Sequence, residues 1–343
     1  MPGPHPFRLL WLVGFLSAGI CFAQQQKPSG APVQDEDVIR VNTSLVTVTV
    51  NVRQRGKGVP RLSREHFHLY EDGVEQEIAY FDAPRDFDTS ESKLPFTLAL
   101  LLDVSDSTQF KLKQIQLAAL SFIDQLAPDD RVFVISFDKA MHALSEPTND
   151  RITLRRAIGE TRTGDGTSLY LAVDTAIQRL RKISGRKAII LFTDGVDTAS
   201  EGATLDSTAN EAAKSDAAIY AVQYNTYADF ADSPSRQTAA VGGLATMAHA
   251  TKNGELASEA YERGTAYLRM LAERTGGSIQ YSDSIKNLSR SFTAIASHLR
   301  QQYTLGYYPG NRTVTGAQRQ IKVKVDAPGV SVSTRKSYVY TPR

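Results

Sequence analysis

The chain has 343 residues, 41% of them hydrophobic and 22% charged, a globular composition with material for two domains or one large domain with appendages. A formal charge of +2 is too small for the electrostatic footprint of a nucleic-acid binder. The single cysteine, Cys21, leaves no pair for a disulfide and no set for cysteine-ligated zinc.

In chain order, residues 1–23 read as a signal peptide. Arg8 is the positive lead, Leu9 to Ile20 form a short apolar run, and "CFA" stands before Gln24 as a cleavage site. The run is short for a membrane span; retention as an anchor is the alternative to cleavage. Ile20 suits poorly a lipid on Cys21, and cleavage after Ala23 removes that cysteine. The expected location is outside the cytoplasm, periplasmic or extracellular. No second apolar run is long enough to cross a membrane.

Residues 24–37, polar with two prolines, are expected to be a linker. Residues 38–88 read as β structure. Val46, Val48, Val50 and Val52 alternate with Thr47, Thr49 and Asn51, and the stretch from Glu65 to Phe81 predicts a hairpin closed at Asp72-Gly73. After a polar connector the pattern changes. Apolar runs at Thr97–Asp103, Val132–Phe137, Lys187–Thr193, Ala217–Gln223 and Ser278–Tyr281 predict strands. Helical patterns at Gln109–Leu126, Ser168–Lys182, about Glu255–Thr275 and Ser284–Gln302 separate them. Gly276-Gly277 closes the third helix. Continuous apolar strands between helices predict an α/β domain over 95–301 with a doubly wound, mostly parallel sheet. Residues 302–343 return to short strands. Neither β flank holds a core alone, so 38–88 and 302–343 are expected to pack together as a β-sandwich-like module.

The strand Leu98–Leu102 discharges Asp103, Ser105, Asp106 and Ser107 where it meets a helix. Open α/β sheets bind ligands beyond the carboxyl ends of their strands, at the switch in strand order. Asp194 follows the apolar run Ala188–Phe192 in the same way, and the Gly-rich stretch "RTGDGTSLYLAV" brings Thr167 and Ser168 to the mouth of a helix. Asp103, Ser105, Ser107, Thr167 and Asp194 all offer hard oxygen, with no imidazole or thiolate. That donor set suits Mg²⁺, Mn²⁺ or Ca²⁺ rather than zinc or copper. Two carboxylates nearly neutralise a dication, and a position left for an outside ligand would favour an acidic group.

Asp103-x-Ser105-x-Ser107, the Thr of "GT" at Thr167 and the Asp of "TDG" at Asp194 resemble the metal-ion-dependent adhesion site (MIDAS) of the von Willebrand factor A family, over roughly residues 95–300. The layout also resembles the exported bacterial VWFA-related proteins through Val46–Val52, Phe67–Ile78 and Leu299–Pro309. Asp165, where the family more often has glycine, is a departure. The resemblance implies a VWA/Rossmann-like fold and a non-enzymatic, adhesion-type module. Its Mg²⁺, with Mn²⁺ or Ca²⁺ as alternatives, would be held by those five residues and completed by an Asp or Glu of a protein partner.

Blander readings stand beside this one. Ser105 and Ser107 could cap the following helix. Asp106 reads as a solvated cap residue, and Asp197 as outer to the site or unrelated. His66 and His68 share a strand face without a third ligand, and His142, His249 and His298 are scattered. Asn42, Asn287 and Asn311 match the glycosylation pattern. Residues 225–255 read as a rim of the site or an idle insertion. The enzymatic rival is a Mg²⁺-dependent phosphatase of haloacid-dehalogenase type. It needs an acid where Ser105 stands, and a lysine on a later loop, whereas Lys187 precedes its strand.

Overall fold

The computed structural model describes residues 45–84, 95–108, 111–224, 257–282, 285–310 and 316–340. The predicted signal, the linker, the stretch 225–255, His249, Asn42 and Asn311 lie outside the described residues.

Residues 96–300 form an α/β unit. Its six-stranded sheet runs β11 (Ser278–Ser282), β10 (Ala218–Tyr224), β9 (Arg186–Thr193), β6 (Phe96–Asp103), β7 (Arg131–Phe137), β8 (Met141–Ala143). The first five are parallel and β8 is antiparallel to β7. Both faces are covered, which is why these strands carry unbroken apolar runs. Leu98, Leu100, Leu102 and Ile190 meet Ile115 and Phe122 of α1 (Leu112–Asp124), Leu154 of α2 (Arg151–Gly159) and Phe292 of α6 (Ile285–Arg300). Ala99, Leu101, Ile189 and Leu191 meet Val173 and Ile177 of α3 (Leu169–Arg181), Ala212 of α4 (Leu205–Lys214) and Leu268 and Leu271 of α5 (Ala257–Thr275).

The sequence reading passes over α2, α4 and β8, which are short. Asp150 caps α2 by accepting from the backbone N–H groups of Ile152 and Thr153, and Thr204 caps α4 by accepting from Ser207 N–H. Neither Ser105 nor Ser107 caps α1. Its N-cap is Lys111, and Asp106–Thr108 form a separate 3₁₀ turn.

The flanking strands form two antiparallel sheets. One is ordered β14 (Val330–Thr334), β1 (Val46–Gln54), β12 (Tyr303–Tyr307), β5 (Tyr80–Asp82), with β2 (Lys57–Gly58) also on β1. The other is ordered β15 (Ser337–Val339), β13 (Gln318–Val325), β3 (Phe67–Glu71), β4 (Val74–Gln76). N-terminal strands therefore pair with C-terminal ones in both sheets, Val48 opposite Leu305 and Leu69 opposite Val323. Asp72 and Gly73 close the β3–β4 hairpin at φ 49° and 85°, the left-handed pair a two-residue turn requires. The hairpin ends at Gln76, and the chain crosses to the other sheet as β5. Between the sheets lie Val46, Val48, Val50, Val52, Phe67, Leu69, Tyr303, Leu305, Ile321 and Val323. Glu71, buried among them, accepts from Tyr307 (2.5 Å), Tyr338 (2.7 Å) and Arg319 (2.5 Å), tying the two sheets through one carboxylate.

Candidate metal centre

The chain builds β6, adds β7 on one side, then adds β9 on the other, so the strand order switches between β6 and β9. Asp103 ends β6 and Asp194 follows β9, at the same sheet end. Both are withdrawn from solvent, at 0% and 3% exposure.

A chain of oxygens joins them. Ser105 donates its hydroxyl to Asp103 Oδ1 (2.6 Å), Ser105 Oγ meets Ser107 Oγ (3.0 Å), and Ser107 donates to Asp194 Oδ2 (3.1 Å). Three oxygen–oxygen contacts are shared by two hydroxyl protons. With both serines donating outward to carboxylates, their lone pairs face each other with no hydrogen between them. Such a set is one proton short of a fully bonded chain, and a third proton on a carboxyl group or a cation would complete it. The same tension appears in Asp103, whose pKa is raised to about 7 by burial first and the Asp194 charge second, against the hydrogen bonds from Ser105 and Thr193.

The loops are fixed by bonds outside this chain. Thr193 donates to Asp103 Oδ2 (2.7 Å) and accepts from Gly195 N–H (3.0 Å). Asp194 Oδ1 accepts from Val196 N–H (3.0 Å). Ser105 pairs with Gly164 in a parallel bridge, and Gly164 N–H donates to Val104 O (2.9 Å). A Cβ on Gly164 would meet Asp138 Oδ2 at 1.9 Å, so any side chain there would have to displace the Asp138 carboxylate.

Thr167 is held through its backbone. Its N–H donates to Thr198 Oγ1 (2.9 Å), and its carbonyl accepts from Thr198 N–H (2.9 Å) and Ala199 N–H (3.0 Å). The structure thus ties the Thr167 loop to the loop after Asp194. It joins Asp103, Ser105, Ser107 and Asp194 in one bonded chain, of which the Thr167 hydroxyl is not a member. On the far side, Tyr261 of α5 donates to Asp194 Oδ2 (3.4 Å), and Gln223 donates to both Asp194 O and Thr265 Oγ1 (2.9 Å each). Gly264 of α5 touches the backbone of Gly195: a Cβ there would fall 2.4 Å from Gly195 O.

Asp197, expected to be outer or unrelated, accepts from Tyr170 N–H (3.0 Å), Ser200 N–H (3.2 Å) and Ser200 Oγ (2.5 Å), and so clamps the start of α3. Asp106 is exposed, and the Asp165 carbonyl accepts from Lys139 N–H (2.8 Å). His66 and His68 form no joint site. His66 meets Ser63, and His68 lies between Glu75 (2.7 Å) and Asp326 (3.0 Å). His142 is 3.4 Å from Asp138. His298 is pushed down to about 4 by burial and then by the Arg53 charge. Among the described residues, no three His, Cys, Asp or Glu side chains form a metal cluster.

These features define a doubly wound α/β domain with an oxygen-only site at its switch point. Residues 98–196 match the family model of the von Willebrand factor type A domain. An uncharacterized protein of Synechocystis, sll0103, is 33% identical over 113 residues, which is 32% of this chain and 27% of that relative's length. Among solved structures, the vWF domain of the type V pili tip protein Mfa5 from Porphyromonas gingivalis is similar at 14% identity, with TM-score 0.43 over 61% of this chain and 96% of that one. Proximal thread matrix protein 1 from the mussel byssus, with a zinc-occupied MIDAS motif, is similar at 14% identity, with TM-score 0.42 over 62% of this chain and 47% of that one.

Proposed function

We propose that the chain is an exported, non-enzymatic binding module that uses a divalent cation to capture an acidic group of a protein partner. The observation that carries this reading is the proton-deficient oxygen chain between the buried carboxylates Asp103 and Asp194. The donor set fits a small hard cation: two carboxylates balance its charge, and hydroxyl oxygens coordinate without adding any. Asp103, Ser105, Ser107 and Asp194 would hold Mg²⁺, or Mn²⁺ or Ca²⁺ in its place, with Thr167 contributing from the third loop. The bound ion supplies a positive coordination point for a carboxylate. The protein's own part is to keep the oxygens dry and fixed, through Thr193, Thr198 and the Gly164 bridge.

Export rests on the signal-like pattern of residues 1–23. Among the described residues no helix is long and apolar enough to cross a membrane. For the phosphatase rival, Ser105 occupies the position of the needed second acid. Lys187 lies at the other end of β9, buried and 2.7 Å from Asp216. The test is a pull-down from the exported fraction with and without EDTA. Partners lost in EDTA and regained with Mg²⁺ support the reading; partners held equally in EDTA refute it.

A further inference from the structure

Tyr224 ends β10, which runs parallel to β9 with Gln223 beside Thr193, so Tyr224 comes level with Asp194. Its ring stacks on Phe192, with centroids 4.4 Å apart and planes 17° apart, and Phe192 stacks in turn on Phe292. The residue is 2% exposed, and its hydroxyl has no hydrogen-bond partner among the described residues. The charges of Asp103 and Asp194 both act on that phenol, adding to burial in holding its proton well above the ordinary tyrosine range. A phenylalanine would fill the same stack. The hydroxyl therefore carries a desolvation cost that the packing does not offset.

We propose that Tyr224 is a positioning residue of the cation site, its hydroxyl donating to an oxygen in the shell of the ion held by Asp103 and Asp194. The inference rests on the metal-site reading above and adds a residue to it. Groups outside the ligand set that orient a metal's shell typically change metal affinity by 10–100-fold when removed. Tyr224 reaches the site from β10, a strand that contributes no residue to the bonded chain.

Tyr224→Phe separates this role from a structural one because the two act with different signs. The measurements are the melting temperature of the metal-free protein and Mg²⁺ affinity by titration calorimetry, for wild type and variant. A metal-free melting temperature equal to or above wild type, with Mg²⁺ affinity reduced about tenfold, is the expected result. Unchanged affinity in the variant would overturn the proposal, because the hydroxyl would then be idle. A lowered metal-free melting temperature would overturn it too, because the hydroxyl would then serve the fold. Failure of the wild type to bind Mg²⁺ would overturn the site reading, and this proposal with it.

Discussion

Asp103 Oδ1 and Asp194 Oδ2 stand at the two ends of a three-contact oxygen chain, through Ser105 and Ser107, that contains only two hydroxyl protons. Without a cation, the missing positive charge has to come from a proton. Burial and the neighbouring Asp194 charge raise the Asp103 pKa to about 7, the direction that holding such a proton requires.

A pH dependence follows, with a definite sign. The Asp103 carboxyl is raised from 3.8 to about 7 in the fold. Between those values the folded state binds more protons than the unfolded state, so metal-free stability falls as pH rises through that window and levels off above it. Chemical denaturation across the window should show this slope in wild type and lose it in Asp103→Asn. Mg²⁺ affinity should rise with pH up to about 7, with proton release seen as a buffer-dependent binding heat.

Thr167→Ala should weaken partner capture in Mg²⁺ by roughly 1–3 kcal/mol, the scale of a lost charge-assisted contact. The loop should stay in place, since it is held by the Thr167 backbone on Thr198 and Ala199. Surface plasmon resonance against the isolated partner, with circular dichroism as a fold control, checks both halves. An unchanged affinity would remove Thr167 from the ligand set.

The β module should depend on Glu71. Glu71→Ala leaves Arg319 buried beside Tyr307 and Tyr338 without its carboxylate. The expected loss is about 3–5 kcal/mol of stability in urea unfolding, the cost of an uncompensated buried charge. Arg319→Met in the same chain should recover part of it.

The parallel strands and their helices were legible because burial on both faces writes itself as continuous apolar runs, and the runs found at Leu98, Val132 and Ala188 are the sheet's centre. The site was legible in part. Asp103, Ser105 and Ser107 are close in sequence, and Asp194 repeats the strand-then-acid pattern. Helices α2 and α4 were missed because their apolar stripes span barely two turns, although Asp150 and Thr204 carried cap signals. The supports from Tyr261 and Gly264 had no local signature. They reach Asp194 and Gly195 only because α5 folds back along the sheet. The fate of the hairpin was hidden for a related reason. Nothing between Gln76 and Tyr80 announces that the chain will change sheets.

The central claim is that Asp103, Ser105, Ser107 and Asp194 hold a divalent cation. Titration calorimetry of Mg²⁺ into EDTA-treated, dialysed protein tests it most directly, with Asp103→Ala alongside. Saturable binding at one site per chain is predicted, with stabilisation of about 2.7 kcal/mol at a hundredfold excess over Kd, and neither effect in the variant. No heat of binding with Mg²⁺, Mn²⁺ or Ca²⁺, or equal binding by Asp103→Ala, would contradict it.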